Sequence, residues 1–191
     1  MCEFEMIGCA PHPMFCTVID LRIMHRQIVV VSTEGKMLMN TYIHPIIVPN
    51  PCQVSETYTH SLEQLNGGMT LAEARHELGS ILRDKLVVGF AVHRLFLLIG
   101  LQRPLDLRHI RYLSLYIPLR RILRCKDADE VPLSVLVYAV LRLDISYGPY
   151  DCVENVHACH QLYLHYQRHW EYSESVGDYQ SLPPPTTLCF T

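Results

Sequence analysis

The chain has 191 residues, of which 49% are hydrophobic, and its formal net charge is −3. This length fits one domain, or one domain with a tail, and the apolar content is ample for a core, so a disordered chain is not expected. The slight negative charge argues against a strongly basic nucleic-acid-binding protein. No apolar run reaches the roughly 18 residues that a membrane helix requires, so no contact with a membrane is predicted.

The N-terminal acidic residues and the scattered cysteines bear on the cellular localisation of the protein. Glu3 and Glu5 place acid where a secretory signal carries base. The eight cysteines form no C-x-x-C pair, and a chain of this length does not need disulfides to hold a core. We therefore expect reduced thiols and a nuclear or cytoplasmic protein, not a secreted one.

Three strands are predicted in the first part of the chain. Residues 15–24 are apolar and β-branched, as buried strands are, and residues 27–33 have the same character. Glu34-Gly35 indicates a hairpin turn, after which residues 36–43 return as the paired strand. These three strands form an antiparallel meander.

Helices and strands alternate in the rest of the chain. Thr70 and Glu73 have the spacing of a capping box and open a predicted helix that ends near Asp84, and residues 86–89 are a short buried strand. Over 92–101 the apolar density favours a helix, although periodicity alone leaves a strand open there. Further predicted elements are a strand at 109–115 and helices at 119–124, 132–141 and 151–169.

This order of elements predicts a mixed α/β sheet covered by helices. After Tyr172 the composition turns to Ser, Gly and Pro, with three consecutive prolines at 183–185. The predicted organisation is therefore a domain over 1–171 and a flexible tail over 172–191.

Four segments are similar to motifs of one enzyme family. Residues 3–8 (E-F-E-M-I-G) match D-C-E-M-V-G, and residues 34–45 match a hairpin with the pattern E-G-x-V-x-Y-D-x-Y-V-x-P. Residues 86–95 (L-V-V-G-F-A-V-H-R-L) match I-L-V-G-H-A-L-H-N-D. Residues 132–136 followed by 150–155 (Y-D-C-V-E-N) match P-S-L-K-V-L…H-D-S-V-E-D. On these segments the chain resembles the DEDDh 3′–5′ exonucleases, in particular their RNA exonuclease 4-like branch.

The resemblance implies an RNase H-like fold, with an antiparallel meander of three strands, further parallel strands and covering helices. In that family four carboxylates hold two divalent metal ions, Mg²⁺ or Mn²⁺, and a histidine takes a proton from the attacking water. The second carboxylate position is Leu95 in this sequence, and the last is Asn155. The position of the base is Tyr150, whose ordinary pKa of about 10 makes it a poor base at neutral pH. We expect no catalytic residue, no metal site and no cofactor.

The first motif has two possible registers. In one, Glu3 and Glu5 stand for the first acidic pair, and residues 15–24 are an insertion. In the other, Asp20 is the first ligand, and Arg22 stands where the second should be. Burial favours the second register slightly, because the central strand should be apolar and few residues precede Glu3. In either register at most two of the four carboxylates remain, which is too little negative charge for two dications.

Acids near the last motif leave an alternative function open. Asp151 and Glu154 lie in the first turn of the predicted last helix, where acids favour the helix dipole. The predicted function is a catalytically inactive scaffold that acts through single-stranded RNA or DNA, or through a protein partner. The alternative is a residual exonuclease that uses Mg²⁺ or Mn²⁺, with Asp20, or Glu3 and Glu5, and with Asp151 and Glu154 as displaced ligands.

Two further stretches bear on binding. Residues 95–99 (L-F-L-L-I) are apolar where an active enzyme keeps a polar cleft, which favours a filled-in site over a protein-docking groove. Residues 103–126 carry seven basic side chains and one acidic one, which indicates either contact with a nucleic-acid backbone or a solvated surface. The predicted nucleic-acid contacts are Arg108, Arg111, Arg120, Arg121 and Arg124.

Overall fold

A computed structural model describes residues 13–18, 26–43, 67–90, 92–100, 109–125, 131–145 and 151–182. Five strands form one sheet in the order β3-β2-β1-β4-β5. Their bounds are β1 Pro13–Val18, β2 Arg26–Val31, β3 Met37–Ile43, β4 Leu86–Gly89 and β5 Ile110–Tyr112. The first three pair antiparallel, whereas β4 is parallel to both β1 and β5. The predicted meander with added parallel strands is therefore present in a mixed sheet.

Five α-helices and one short 3₁₀ turn complete the described chain. Helix α1 is Leu71–Leu82, α2 is Val92–Ile99, α3 is Ile117–Ile122, α4 is Leu133–Leu141 and α5 is Cys152–Ser175, and the 3₁₀ turn is Leu113–Leu115. None of the helices in the described ranges is long and apolar enough to cross a membrane.

Helices cover both faces of the sheet. Each strand contributes side chains to both faces, because successive strand residues point to opposite sides. On β2, Ile28 and Val30 pack into a cluster with α1 and α2, whereas Val29 and Val31 pack into a cluster with α5. All four side chains are fully buried. The unbroken apolar run that predicts β2 is therefore explained by helices on both sides.

The capping box that opens α1 is formed as predicted. The Thr70 hydroxyl oxygen accepts from the Glu73 backbone N–H at 3.2 Å, and the Glu73 carboxylate accepts from the Thr70 backbone N–H at 2.8 Å. These two bonds satisfy donors that the first turn of a helix otherwise leaves open.

The predicted strand at 109–115 is shorter in the structure. Strand β5 ends at Tyr112, and the chain then makes the 3₁₀ turn. The hydroxyl of Ser114 donates to the Phe90 carbonyl at 2.5 Å, and the Ser114 carbonyl accepts from the Arg120 guanidinium at 3.0 Å. These bonds hold the turn, so the backbone there does not extend the sheet.

The predicted boundary between domain and tail at residue 172 falls inside α5, which continues to Ser175. The chain then returns to the fold: the Ile117 N–H donates to the Gln180 carbonyl at 2.8 Å, and the Leu182 N–H donates to the Leu115 carbonyl at 2.9 Å. Residues 172–182 are therefore part of the folded domain, and 183–191 lie outside the described residues.

The centre of the sheet bears on the two registers of the first motif. Strand β1 lies between β2 and β4, so the segment after Pro13 supplies the central strand. This favours the register with Asp20, which follows β1, over the one in which residues 15–24 are an insertion. Asp20 and Arg22, like Glu3 and Glu5, lie outside the described residues, so their own positions stay predictions.

In the described part of the chain, Cys125 and Cys159 are not joined to another cysteine by a disulfide. Cys159 is fully buried, and burial raises the pKa of its thiol to about 12. Such a thiol stays protonated and unreactive at neutral pH. The expectation of reduced cysteines across the chain stays a prediction.

Candidate functional site

Two positions that the sequence places in a catalytic site lie on helices packed against β1. Leu95 is on α2 and Asn155 is on α5, and both helices contact the central strand. The two helices cover opposite faces of the sheet, because Leu95 belongs to the core cluster with α1, whereas α5 lines the other cluster. Leu95 and Asn155 thus lie on helices on either side of β1, the strand that Asp20 follows in the sequence.

Leu95 is part of the hydrophobic core. Its side chain is 0% exposed and packs in one cluster with Val87, Val92 and Ile99. A leucine has no atom that binds a hard cation, and the side chains packed around Leu95 are apolar. A metal ligand at position 95 would require a charge within an apolar core, which is costly.

Asn155 is also buried, with 7% of its surface exposed, and its backbone N–H donates to the Asp151 carbonyl at 3.1 Å within the first turn of α5. Its side chain is a neutral amide, which binds Mg²⁺ more weakly than a carboxylate does. The donors at positions 95 and 155 therefore do not fit the two hard dications that the resemblance implies.

Asp151 caps the helix on which Asn155 lies. Its Oδ1 accepts from the backbone N–H of Val153 at 2.7 Å and from that of Glu154 at 3.4 Å. An aspartate at this position satisfies open donors and interacts favourably with the helix dipole. This geometry gives Asp151 a structural role and supports the helix-dipole interpretation of the acids there.

Tyr42 on β3 lies close to the start of α5, which the sequence patterns do not indicate. Its pKa is raised, first by burial and then by the charges of Cys152 and Asp151. A phenol with a raised pKa remains protonated at neutral pH, so Tyr42 is not a general base.

No group of three or more His, Cys, Asp and Glu side chains is placed to hold a metal within the described ranges. Tyr150 lies outside those ranges, as do Asp20, Glu3 and Glu5. The absence of a metal site and of a general base therefore stays a prediction. Of the family's ligand positions, the structure describes 95 and 155, and the side chains at both are poorly suited to bind a hard dication.

Two of the predicted nucleic-acid contacts are built into the fold. Arg111 is 6% exposed and Arg120 is 5% exposed. Arg111 binds the carboxylate of Glu171 on α5, and Arg120 donates to the Ser114 carbonyl. The prediction that these two side chains contact nucleic acid is therefore corrected, since their guanidinium groups face the protein interior.

The other predicted contacts divide into two cases. Arg121 and Arg124, at the end of α3, are exposed to solvent. Arg108 lies outside the described residues and stays a prediction. Among the described residues of the basic segment, the predicted contacts that are exposed are therefore Arg121 and Arg124.

An ionic and aromatic network that sequence patterns missed joins α5 to β5. Arg111 Nε and Nη2 donate to the two carboxylate oxygens of Glu171 at 3.0 and 2.8 Å, and the Tyr163 hydroxyl donates to the same carboxylate at 3.1 Å. Burial lowers the pKa of Arg111, but the hydrogen bond and charge of Glu171 outweigh it and raise that pKa. Beside this network the rings of Tyr116 and Trp170 stack with centroids 3.8 Å apart. Residues so far apart in sequence give no local pattern.

No family model matches the chain, and no curated protein matches it either. Solved structures share its fold. The Pan2 catalytic unit of Neurospora crassa, with protease and nuclease domains, is 18% identical with a TM-score of 0.57, and the match covers 92% of this chain and 30% of that one.

The Saccharomyces cerevisiae Pan2 pseudoubiquitin hydrolase–RNA exonuclease module is a second neighbour. Its structure with AAUUAA RNA is 13% identical with a TM-score of 0.60, covering 92% of this chain and 33% of that chain. Its structure with AAGGA RNA is 15% identical with a TM-score of 0.58, covering 93% and 33%. This chain thus spans about a third of the length of these neighbours. At this identity the likeness supports an exonuclease-like fold and carries nothing about activity.

Proposed function

We propose that this protein is a catalytically inactive member of the RNase H-like DEDDh exonucleases that binds single-stranded RNA. The observation that carries the proposal is Leu95, fully buried in the apolar core at a position where the resemblance requires a metal-binding carboxylate. The amide of Asn155 at the last carboxylate position adds to it.

The loss of catalysis follows from charge. Two-metal hydrolysis needs carboxylates to hold both ions and a base to accept the proton of the attacking water. With Leu95, Asn155 and Tyr150 at three of the five positions, the remaining acids are too few to hold two dications against their mutual repulsion. Asp151 does not compensate, because its carboxylate caps α5.

Binding to RNA has two supports. The fold neighbours include an RNA exonuclease module in complex with short RNAs. Arg121 and Arg124 give the surface at the end of α3 a local positive charge. Because the whole chain has a net charge of −3, we expect binding to be local and strongly weakened by salt. Single-stranded DNA and a protein partner are the other ligands to test.

The experiment uses the full chain and a 5′-labelled single-stranded RNA, followed by fluorescence anisotropy for binding and by a denaturing gel for cleavage with Mg²⁺ or Mn²⁺. We expect saturable binding and intact RNA. A ladder of shortened products that is lost in Asp151→Asn, which keeps the helix cap, but not in Asp178→Asn would show a residual exonuclease. If RNA does not bind at all, the RNA-binding proposal is wrong.

A further inference from the structure

An open groove lies on the outer side of the domain, between the end of α3 and α4. It has a volume of about 500 Å³. We call it the α3–α4 groove, and its lining residues are Leu123, Ser134, Val135, Tyr138, Ala139, Arg142 and Asp144. Ser134 and Val135 fall within the matched segment 132–136, but none of the lining residues stands at a catalytic position of the family resemblance.

The groove presents an aromatic ring to solvent. Tyr138 is 56% exposed, although a tyrosine ring usually buries most of its area in a fold. Val135, one turn before it on α4, is 45% exposed. The guanidinium carbon of Arg142 is 5.9 Å from the centre of the Tyr138 ring, at the outer limit of a cation–π contact. Arg142 thus lies over one face of the ring, and more than half of the Tyr138 surface stays exposed to a ligand.

Arg142 occupies a backbone position that favours glycine. It caps the C-terminus of α4 with φ 59° and ψ 26°, in the left-handed region, and its N–H donates to the Tyr138 carbonyl at 3.1 Å. Glycine is the usual residue there, because a side chain makes this conformation less favourable. An arginine at this place keeps a cation at the rim of the groove at some cost in stability.

The charges around the groove suit a nucleotide better than an acidic peptide. Arg142 is exposed at the rim, and the exposed Arg121 and Arg124 flank Leu123 in the sequence. Asp144 lines the same groove and repels any second anion beside Arg142. A nucleotide has both features, since its phosphate is the anion, whereas its base is flat, can stack on an aromatic ring and carries N–H donors.

We propose that the α3–α4 groove binds one nucleotide of single-stranded RNA, with the base stacked on Tyr138 and the phosphate held by Arg142. This inference rests on the proposed RNA-binding function and gives it a contact surface outside the family's catalytic region. Arg121 and Arg124 carry the neighbouring phosphates.

The stacking contact is tested by fluorescence anisotropy with a labelled single-stranded RNA. We expect Tyr138→Ala to weaken binding about tenfold, within the range measured for loss of one base–aromatic stack. Tyr138→Phe keeps the ring and should bind as the unmodified protein does. The matched control is Tyr172→Ala, because Tyr172 is 64% exposed on α5 and does not line the groove.

The phosphate contact is tested by Arg142→Gly. Glycine relieves the left-handed backbone, so this variant should be at least as stable as the parent, and weaker binding cannot then be assigned to unfolding. We expect the slope of log affinity against log salt to fall by about one. Arg168→Ala, an exposed arginine on α5, is the control.

The outcomes separate the groove from the function. If the parent binds RNA and both Tyr138→Ala and Arg142→Gly bind equally well, the groove inference is wrong and the proposed function stands. If the parent does not bind RNA, both are wrong. If an acidic peptide binds in a Tyr138-dependent manner while RNA affinity is independent of Tyr138, the groove is a protein-docking site, which also contradicts the inference.

Discussion

Arg111 on β5 and Glu171 on α5 form a two-point ion pair, with N–O distances of 3.0 and 2.8 Å. Glu174 extends the pair, with its carboxylate 3.9 Å from the same guanidinium. The side chain of Arg111 is 8% exposed and that of Glu171 is 34% exposed. The pair therefore fixes an edge strand of the sheet to the last helix, at a place partly shielded from water.

The first prediction concerns stability at this ion pair. Arg111→Met should lower the free energy of unfolding by about 2 kcal/mol, below the ~3–5 kcal/mol of a fully buried pair, because water reaches Glu171. Urea unfolding measures this, and a double-mutant cycle with Glu171→Gln isolates the coupling. RNA affinity should not change. A variant with parental stability and weakened RNA binding would instead place Arg111 at the nucleic-acid interface.

The second prediction concerns the replaced carboxylate. Leu95→Asp should lower the free energy of unfolding by about 3–5 kcal/mol, because it places an uncompensated carboxyl group in the core. Leu95→Met is the control and should cost less than about 1.5 kcal/mol. Thermal and urea unfolding of both variants measure the difference. A Leu95→Asp protein as stable as the parent would mean that the position opens to solvent or to a cation.

Local patterns predict much of the fold because they reflect local physics. The capping box at Thr70 and the fully buried β4 depend on neighbouring residues, and both form as the sequence indicates. The end of α5 was not predicted, because Ser, Gly and Pro favour a tail, whereas its last turns are held by tertiary contacts. Buried Ser173 and the contact between Glu174 and Arg111 are such contacts.

Local sequence patterns also predict part of the candidate site. Motif spacing identifies Leu95 and Asn155, and the structure places both on helices that contact β1. The basic segment was misleading for Arg111 and Arg120, because a count of charges does not show which of them have partners in the fold. The partner of Arg111 is Glu171, 60 residues away, and a single sequence offers no way to pair them.

The third prediction follows from the end of the fold. A chain that stops after residue 182 should keep the described contacts, whereas one that stops after residue 171 loses the end of α5 and two backbone hydrogen bonds to residues 115–117. We expect the shorter chain to be less stable by about 2 kcal/mol, since each bond contributes about 0.5–1.5 kcal/mol. Equal urea midpoints for the two chains would show that 172–182 is a tail after all.

The fourth prediction is a pH dependence at His160, whose Nε2 donates to the Thr33 carbonyl at 2.8 Å. Burial lowers the pKa of His160, and nearby His157 lowers it further, whereas the bond to Thr33 and the charge of Glu34 oppose this. The unfolded chain, with a pKa of about 6.5, therefore takes up a proton before the folded chain does. This contribution to stability is present above about pH 6.5 and is lost as the pH falls below it.

His160→Gln tests this, because the glutamine amide can still donate to the Thr33 carbonyl but does not titrate. Urea unfolding from pH 7.5 to pH 5.5, about one unit on either side of the ordinary histidine pKa, should show a smaller loss of stability in the variant than in the parent. Parallel losses would assign the acid sensitivity to other histidines.

The central claim is that the fold remains while the metal-binding chemistry does not, and titration with Mn²⁺ followed by electron paramagnetic resonance tests it most directly. Free Mn²⁺ gives a sharp spectrum that is lost when the ion binds protein ligands. We predict that the full chain, with single-stranded RNA and Mn²⁺ present, shows no stoichiometric loss of that spectrum beyond the loss caused by RNA alone. Loss of two equivalents of Mn²⁺ per chain, abolished by Asp151→Asn or Asp20→Asn, would contradict it.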